Sequence, residues 1–141
     1  MKLKIGHVFA AAETVTRIIN EARPLPQKGS YRLARLYAKL KPEYDLIVSR
    51  RNAMIEAYGH KERVHQVGAN GEPVVFDGNG TALMVEAPNF SVPMDKMPEF
   101  SKAWAEVAAE EIEVAVEPIP LDQLDNISAA ELIVLDDLVR E

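Results

Sequence analysis

One row of apolar residues at helical spacing, in the middle of the sequence, limits the folds available to this chain. Apolar positions keep one helical phase from Leu33 to Tyr58. Ser30 is a candidate N-cap, and Gly59 stands where the left-handed conformation of glycine commonly ends a helix. Because the phase survives Pro42, we predict one long helix kinked at that proline or two nearly collinear helices. The stripe consists of Leu33, Leu36, Leu40, Tyr44, Ile47, Met54 and Tyr58, with Arg51 in phase.

Two short strands and a second helix are predicted around the long helix. Lys2–Ile5 alternates as a strand with one buried face, and Ile112–Val116 alternates with glutamates as another. We expect these strands to pair, with Lys2 and Lys4 opposite Glu111 and Glu113. A helix is predicted over residues 7–22, until the prolines at 24 and 26 stop it. Its apolar stripe is Val8, Ala11, Ala12, Val15, Ile18 and Ile19.

Residues 64–87 have the composition of a small β-meander. Val64–Val67 and Val74–Phe76 flank Asn70-Gly71, a strong signal for a tight hairpin turn. Asp77–Gly80 forms a second turn signal before another apolar run at Ala82–Val85. We therefore predict a β-hairpin excursion at about 64–87.

The last third of the chain predicts a helix, the second strand and a terminal helix. Asp95 is a candidate cap for a helix reaching about Glu110, with Trp104 as the core anchor. Ser128–Glu131 has the pattern of a capping box. Together these elements indicate one α+β domain over residues 1–141, with a small antiparallel sheet packed against several helices. The buried faces are Met97, Phe100, Trp104, Val107 and Ala108, then Leu132, Leu135, Leu138 and Val139.

Composition indicates an ordinary globular chain that depends on packing for stability. Its 141 residues are 48% hydrophobic and contain no cysteine, which excludes disulfides and thiolate chemistry. No apolar run approaches the ~20 residues that a membrane span needs, and the first residues alternate where a signal peptide would be continuously apolar. We expect a soluble, intracellular protein without membrane insertion.

Charge is distributed unevenly along the sequence. Between Arg23 and Arg63 there are ten Lys/Arg against four Asp/Glu, and from Glu72 onward there are sixteen acids against three bases. Two interpretations stay open: the halves neutralise each other, or they bind partners. The net charge of −6 argues against nucleic acid as the partner. For protein docking, the candidate residues are Arg32, Arg35, Lys39 and Arg51 on a basic face and Glu106, Glu110, Glu113 and Glu117 on an acidic face.

Motifs for catalysis or cofactor binding are weak throughout. The sequence lacks a Gly-x-Ser-x-Gly nucleophile elbow and a phosphate-binding glycine loop. His60 and His65 beside Glu62 are a poor metal set, because their spacing does not place them on one helical face. Asp77–Gly80 lacks the later ligands of a calcium loop. We predict a protein that is not an enzyme and binds neither metal nor cofactor.

Several ordered blocks of the sequence resemble a family of small uncharacterised proteins encoded by tailed bacteriophages and prophages. The resemblance covers most of the chain except residues 64–90. The blocks are Met1–Ile5, Leu25–Leu36, Lys39–Tyr44, Ile55–Gly59, Pro98–Phe100 leading to Glu111–Val114, and Ile127–Leu132.

The resemblance implies a phage origin and a function through protein–protein contacts. Virion assembly in the tail or neck, or a virion-associated role, is the first expectation, and a host-directed effector that uses the acidic surface is the alternative. Either role implies a protein partner, from the virion or from the host, and leaves a homo-oligomer open. The expected location is the host cytoplasm or the virion.

Overall fold

The computed structural model describes residues 1–60, 63–65, 69–70, 72, 76, 78–81, 84–86 and 90–141, and only the backbone at 63–65 and 84–86. The chain forms two compact units. The first comprises Met1–Arg50 and Trp104–Glu141, and the second comprises Arg51–Ala103. The predicted excursion at 64–87 belongs to the second unit, and the single-domain organisation stays a prediction.

The α+β class is confirmed. The described helices are α1 (Ile5–Asn20), α2 (Gln27–Tyr58), α3 (Met97–Ala108) and α4 (Ala129–Val134). Short 3-10 turns occupy Leu121–Gln123 and Asp136–Leu138. The described strands are β1 (Lys2–Lys4), β2 (Arg63–His65), β3 (Met84–Glu86), β4 (Glu111–Glu113), β5 (Ile119–Pro120) and β6 (Val139–Arg140).

The predicted pairing of the first strand with the late glutamate-rich strand is confirmed. β1 and β4 are antiparallel, with Lys2 opposite Glu113 and Lys4 opposite Glu111. The pair is extended beyond the strands because the amide of Val114 donates to the carbonyl of Met1 over 2.9 Å. Opposite charges therefore face each other on the solvent side while Leu3 is buried.

Helix α1 packs the core of the first unit. Its stripe is buried as predicted, except that Ile19 is exposed because the helix ends at Asn20 and the stripe leaves the core. The ring of Phe9 stacks on Tyr44 with centroids 5.3 Å apart and meets Trp104 edge-on at 5.9 Å. Trp104 is only half-buried, so Phe100 and Val107 anchor α3 instead. Met97 is exposed and does not belong to the predicted buried face.

Helix α2 is one continuous helix through Pro42. The proline and Ala38, whose carbonyl loses its helical donor, both lie on the exposed face where water can replace that bond. Leu33, Leu36 and Leu40 are buried on the opposite face. The single-helix alternative for this segment is therefore correct.

Both predicted caps of α2 need correction. Ser30 is not the N-cap, because the helix starts earlier at Gln27 and the Ser30 amide donates to the carbonyl of Pro26 over 2.9 Å. Gly59 follows the helix but does not take a positive φ. A Cβ at Gly59 would lie 2.5 Å from the carbonyl oxygen of Ser91. Close approach of two backbones, and not a left-handed turn, requires glycine there.

The β-rich part of the second unit pairs differently from a simple hairpin. β2 is antiparallel to β3, with Val64 opposite Val85, and an isolated bridge joins His60 to Ser91. The first apolar run thus pairs with the third run of the predicted meander. The turn glycine and most of the middle run lie outside the described residues, and so does their predicted pairing.

The capping box at the start of α4 is confirmed, but the helix is shorter than predicted. The amide of Glu131 donates to Ser128 Oγ over 3.2 Å, and the amide of Ser128 donates to Glu131 Oε1 over 3.0 Å. The chain then passes through a 3-10 turn into β6, which pairs in parallel with β5. Leu135 and Leu138 are buried as expected.

One buried carboxylate joins this capping box to the segment before α2. Glu131 is 5% exposed, and its carboxylate accepts hydrogen bonds from Arg23 and Arg17. The hydrogen bond from Arg23, assisted by those from Ser128, lowers the pKa of Glu131 to about 2. The group is therefore ionised and paired over the physiological pH range.

Acid should destabilise the fold through Glu131. Its pKa lies below the ordinary value of 4.5, so its stabilisation is complete above pH 4.5 and is lost as the pH falls toward 2. Urea unfolding at about pH 6 and about pH 3 should show a smaller loss for Glu131→Gln than for the unchanged chain. Glu106→Gln, at an exposed carboxylate without an ion pair among the described residues, is the matched control and should lose as much stability in acid as the unchanged chain. An acid loss in Glu131→Gln as large as in the unchanged chain would contradict this assignment.

Close backbone contact also makes Gly29 indispensable in the first turn of α2. A Cβ there would lie 1.7 Å from the carbonyl oxygen of Gln123. We expect Gly29→Ala to lower the free energy of unfolding by about 1–3 kcal/mol through overpacking. Gly78→Ala is the control, because no atom of the described residues lies within 4 Å of a Cβ at that glycine. Equal urea midpoints for the two variants would refute the contact.

Candidate docking surface

A groove in the first unit runs between the first half of α2 and an irregular segment that follows β4. Its volume is about 420 Å³. One wall is helical and carries all four cations of the lining, and the other is the segment Ala115–Pro118. We call this feature the basic groove. Its lining residues are Lys28, Tyr31, Arg32, Arg35, Leu36 and Lys39 from α2, and Ala115, Val116, Glu117 and Pro118 from the facing segment.

The helical wall follows directly from sequence spacing. Lys28, Arg32, Arg35 and Lys39 are separated by four, three and four residues, which places them along one face of α2. At 1.5 Å per residue this row of cations is about 16 Å long. The contact between Gly29 and Gln123 fixes the start of the helix that carries it. The groove therefore suits an elongated ligand.

The facing wall is held at both ends by buried side chains. Val114 before it and Ile119 after it are buried, and the amide of Val114 is bonded to Met1. Between them the amide of Val116 donates to the carbonyl of Val114 over 2.9 Å, which closes a three-residue turn. The pairing of β1 with β4 thus determines where this wall starts.

Among the described residues, the cations of the groove lack the carboxylate partners that several other cations of the same unit have. Arg23 pairs with Glu131 and Arg50 pairs with Glu110. Within the part of the chain that the structure describes, no carboxylate lies within 4.0 Å of any groove cation. The guanidinium of Arg35 instead lies 5.9 Å from the ring centroid of Tyr31. Four cations and one carboxylate give the lining a formal charge of +3.

The structure divides the predicted basic face. Arg32, Arg35 and Lys39 come together in the groove. Arg51 belongs to the second unit, is half-buried and does not line it. Tyr31 also lines the groove and is 64% exposed, although the sequence offered no signal for it beyond its position in the same helix. Lys28 also lines the groove, and in the sequence it continues the helical spacing of the other three cations.

The predicted acidic face does not form one free surface. Glu110 accepts two hydrogen bonds from Arg50, of 2.7 and 2.9 Å, which lower the pKa of Glu110 and raise that of Arg50. The amino group of Met1 lies 2.7 Å from Glu113 and lowers its pKa through a hydrogen bond. Glu106 is exposed, and Glu117 lines the basic groove. Two of the four glutamates are thus engaged within the chain.

A second groove in the first unit has balanced charge. It has a volume of about 600 Å³ and lies between α1 and the middle of α2. Arg17 and Lys41 in its lining are matched by Glu13 and Glu21. It offers no net electrostatic preference for a ligand, so the basic groove is the stronger candidate.

The described residues give little evidence for a metal site or a membrane-spanning helix. Among them, no group of three or more His, Asp or Glu side chains could hold a metal ion. The side chains of Glu62 and His65, considered above as ligands with His60, and Asp77 of the calcium-like turn lie outside the described set. None of the helices in the described ranges is long and apolar enough to cross a membrane.

Comparisons of the chain with protein-family models, with curated proteins and with solved structures found no match.

Unpaired cations at the groove should make no contribution to stability. Arg35→Glu places a carboxylate three residues after Arg32 and four before Lys39, where helical ion pairs are favourable. We expect its urea unfolding midpoint to equal or exceed that of the unchanged chain. Arg50→Glu is the matched control and should lower the midpoint, because it destroys the pair with Glu110. A lower midpoint for Arg35→Glu would show that this arginine stabilises the fold.

Proposed function

We propose that this chain is a non-enzymatic protein that acts through protein–protein contacts, and that its basic groove binds an acidic segment of the partner. The observation that carries the proposal is the row of four cations on α2 without carboxylate partners among the described residues. Like charges at helical spacing cost stability, and binding sites commonly accept such a cost. An acidic partner would neutralise them.

The lining favours a protein segment as the ligand. Tyr31, Leu36, Val116 and Pro118 add apolar surface between the charges. Tyr and Arg are the residues most enriched at protein interfaces and at their energetic centres. A long polyanion such as nucleic acid is disfavoured, because its phosphates would continue beyond the groove over a chain whose net charge is −6. Glu117 can accept hydrogen bonds from the backbone or side chains of a peptide.

The size of the expected interaction is modest. An exposed ion pair contributes about 0.2–1 kcal/mol, so four such pairs alone give weak, salt-sensitive binding. Apolar contacts along the groove supply the remainder. Such binding suits a protein that is used in several copies or assembled beside other contacts, because linked weak contacts reinforce one another.

The resemblance to phage proteins supports virion assembly in the tail or neck, or a virion-associated role, as the setting of this contact. The location that goes with it is the host cytoplasm or the virion. The lining also suits a binding role, because its described residues include neither histidine, serine nor threonine. A host-directed effector that acts through the predicted acidic face has less support, since Glu110 and Glu113 of that face form ion pairs within the chain.

The groove is tested by binding of a fluorescein-labelled deca-glutamate peptide, followed by fluorescence anisotropy. Arg35→Glu combined with Lys39→Glu should weaken binding at least tenfold, because attraction becomes repulsion at two positions. Lys96→Glu combined with Lys102→Glu is the matched control. It changes the net charge equally at exposed lysines outside the groove and should bind nearly as well as the unchanged chain. Equal loss in both variants would reduce the effect to net charge and remove the groove from the proposal.

The setting is tested by affinity capture from phage-infected cells with the unchanged chain and the same two variants. Capture of capsid, neck or tail proteins by the chain and the control, but not by the groove variant, would support an assembly role. If the unchanged chain and both variants all captured the same host protein, that result would favour the host-directed effector over the assembly role.

A further inference from the structure

The end of the first unit carries an exposed surface that complements the basic groove in charge. It spans the end of α4 and the residues that follow, and it includes one large apolar side chain of that helix, Ile133, which is 77% exposed. Asp136, Asp137 and Glu141 are also exposed. We call these four exposed residues, which lie close together in sequence at 133–141, the terminal acidic surface.

The carboxylates of the terminal acidic surface have almost no internal partners. Across the described residues, the one ion-pair contact to this surface is His7 Nδ1, 3.8 Å from Asp137 Oδ2. Arg140, in the same segment, is exposed and makes no ion pair with the described carboxylates. The segment from 133 to 141 therefore presents three carboxylates and one guanidinium, a formal charge of −2.

We propose that the basic groove of one copy of this chain binds the terminal acidic surface of a second copy. This inference rests on the proposed function, because it names the partner of the same groove. The groove has a formal charge of +3 and the terminal acidic surface one of −2, counting Arg140. No ion pair joins the two surfaces within one chain.

Apolar complementarity accompanies the charges. Ile133 on α4 is largely exposed, and so is Tyr31, the one aromatic residue among those that line the groove. Ile133 is near carboxylates in sequence, and Tyr31 lines the groove together with the cations, so an apolar contact between them would accompany the ion pairs. Covering both would remove from water two of the largest exposed apolar side chains of the first unit.

The proposed contact joins two different surfaces, so it is heterologous. Each copy retains a free groove after giving its terminal surface to a neighbour, and association continues head to tail. Such a contact produces a ring if the rotation between copies closes and a filament if it does not. Both surfaces belong to the first unit, so the contact needs nothing from residues 51–103.

Sedimentation velocity of the full chain tests the contact. We expect the mean mass to rise between about 10 µM and about 500 µM chain, as mass action requires. Raising NaCl from about 50 mM to about 500 mM should weaken association at least tenfold, because the charges are exposed. A chain that stays monomeric at the highest concentration and lowest salt overturns the inference.

Two charge-reversed variants identify the surfaces. The groove variant carries Arg35→Glu and Lys39→Glu, and the terminal variant carries Asp136→Lys and Glu141→Lys. Each alone should be monomeric, because its groove and its terminal surface have the same sign of charge. An equimolar mixture should associate again, because every groove then meets a terminal surface of opposite charge. Failure of the mixture to associate, with both variants folded by circular dichroism, overturns the contact.

An uncharged change gives an independent readout. Ile133→Ser should weaken self-association at least threefold in high salt as well as low, because it removes apolar area and leaves every charge in place. The control pair Lys96→Glu and Lys102→Glu should associate like the unchanged chain. Unchanged association in Ile133→Ser would remove this side chain from the contact and so overturn the inference as stated.

The deca-glutamate assay separates failure of this inference from failure of the proposed function. A monomeric chain whose groove still binds the peptide retains the proposed function and loses the second copy as its partner. A monomeric chain that binds no peptide loses both.

Discussion

The pairing of β1 with β4 is the contact on which the first unit depends. It brings together segments from opposite ends of the sequence, at the entropic cost of closing a long loop. Burial of Leu3, Ile5 and Val114 offsets that cost, and the opposite charges on the solvent side select the register. The strand pair then delivers the chain directly into Ala115–Pro118. Without this pairing, α2 would have its cations but no facing wall, and the basic groove would not exist.

Some cations of the chain form ion pairs within the fold, whereas the cations of the basic groove form none with the described residues and are available for binding. Arg23, Lys41 and Arg50 each contact a carboxylate, and the pKa of each is raised by that hydrogen bond. The groove cations on the same stretch of chain have no such contacts among the described residues. The uneven charge of the sequence is therefore partly neutralised within the fold, while the basic excess that remains is concentrated on one face of α2.

Sequence reasoning succeeded where a local pattern determines the structure. Alternation predicted β1 and β4 and their facing charges, helical periodicity predicted α1 and α2, and the Ser128 capping box began α4 as expected. The sequence did not predict features that depend on contacts with residues far away along the chain. Gly59 is required by Ser91, and the alternation that predicted a strand through Val116 gave no sign that β4 ends at Glu113 and that Ala115–Pro118 forms a groove wall. The acidic face was grouped by proximity in sequence, whereas Glu110 and Glu113 had partners elsewhere in the chain.

The shared carboxylate of Glu131 also has an evolutionary consequence. One side chain completes the helix cap with Ser128 and pairs with Arg23, so losing it removes two contacts at once, although Arg23 keeps its hydrogen bond to Glu21. Aspartate has the same charge but is one methylene shorter and would not span both contacts. Substitutions at positions 23, 128 and 131 are therefore expected to be accepted together or not at all. In an alignment of related chains, these three positions should therefore covary.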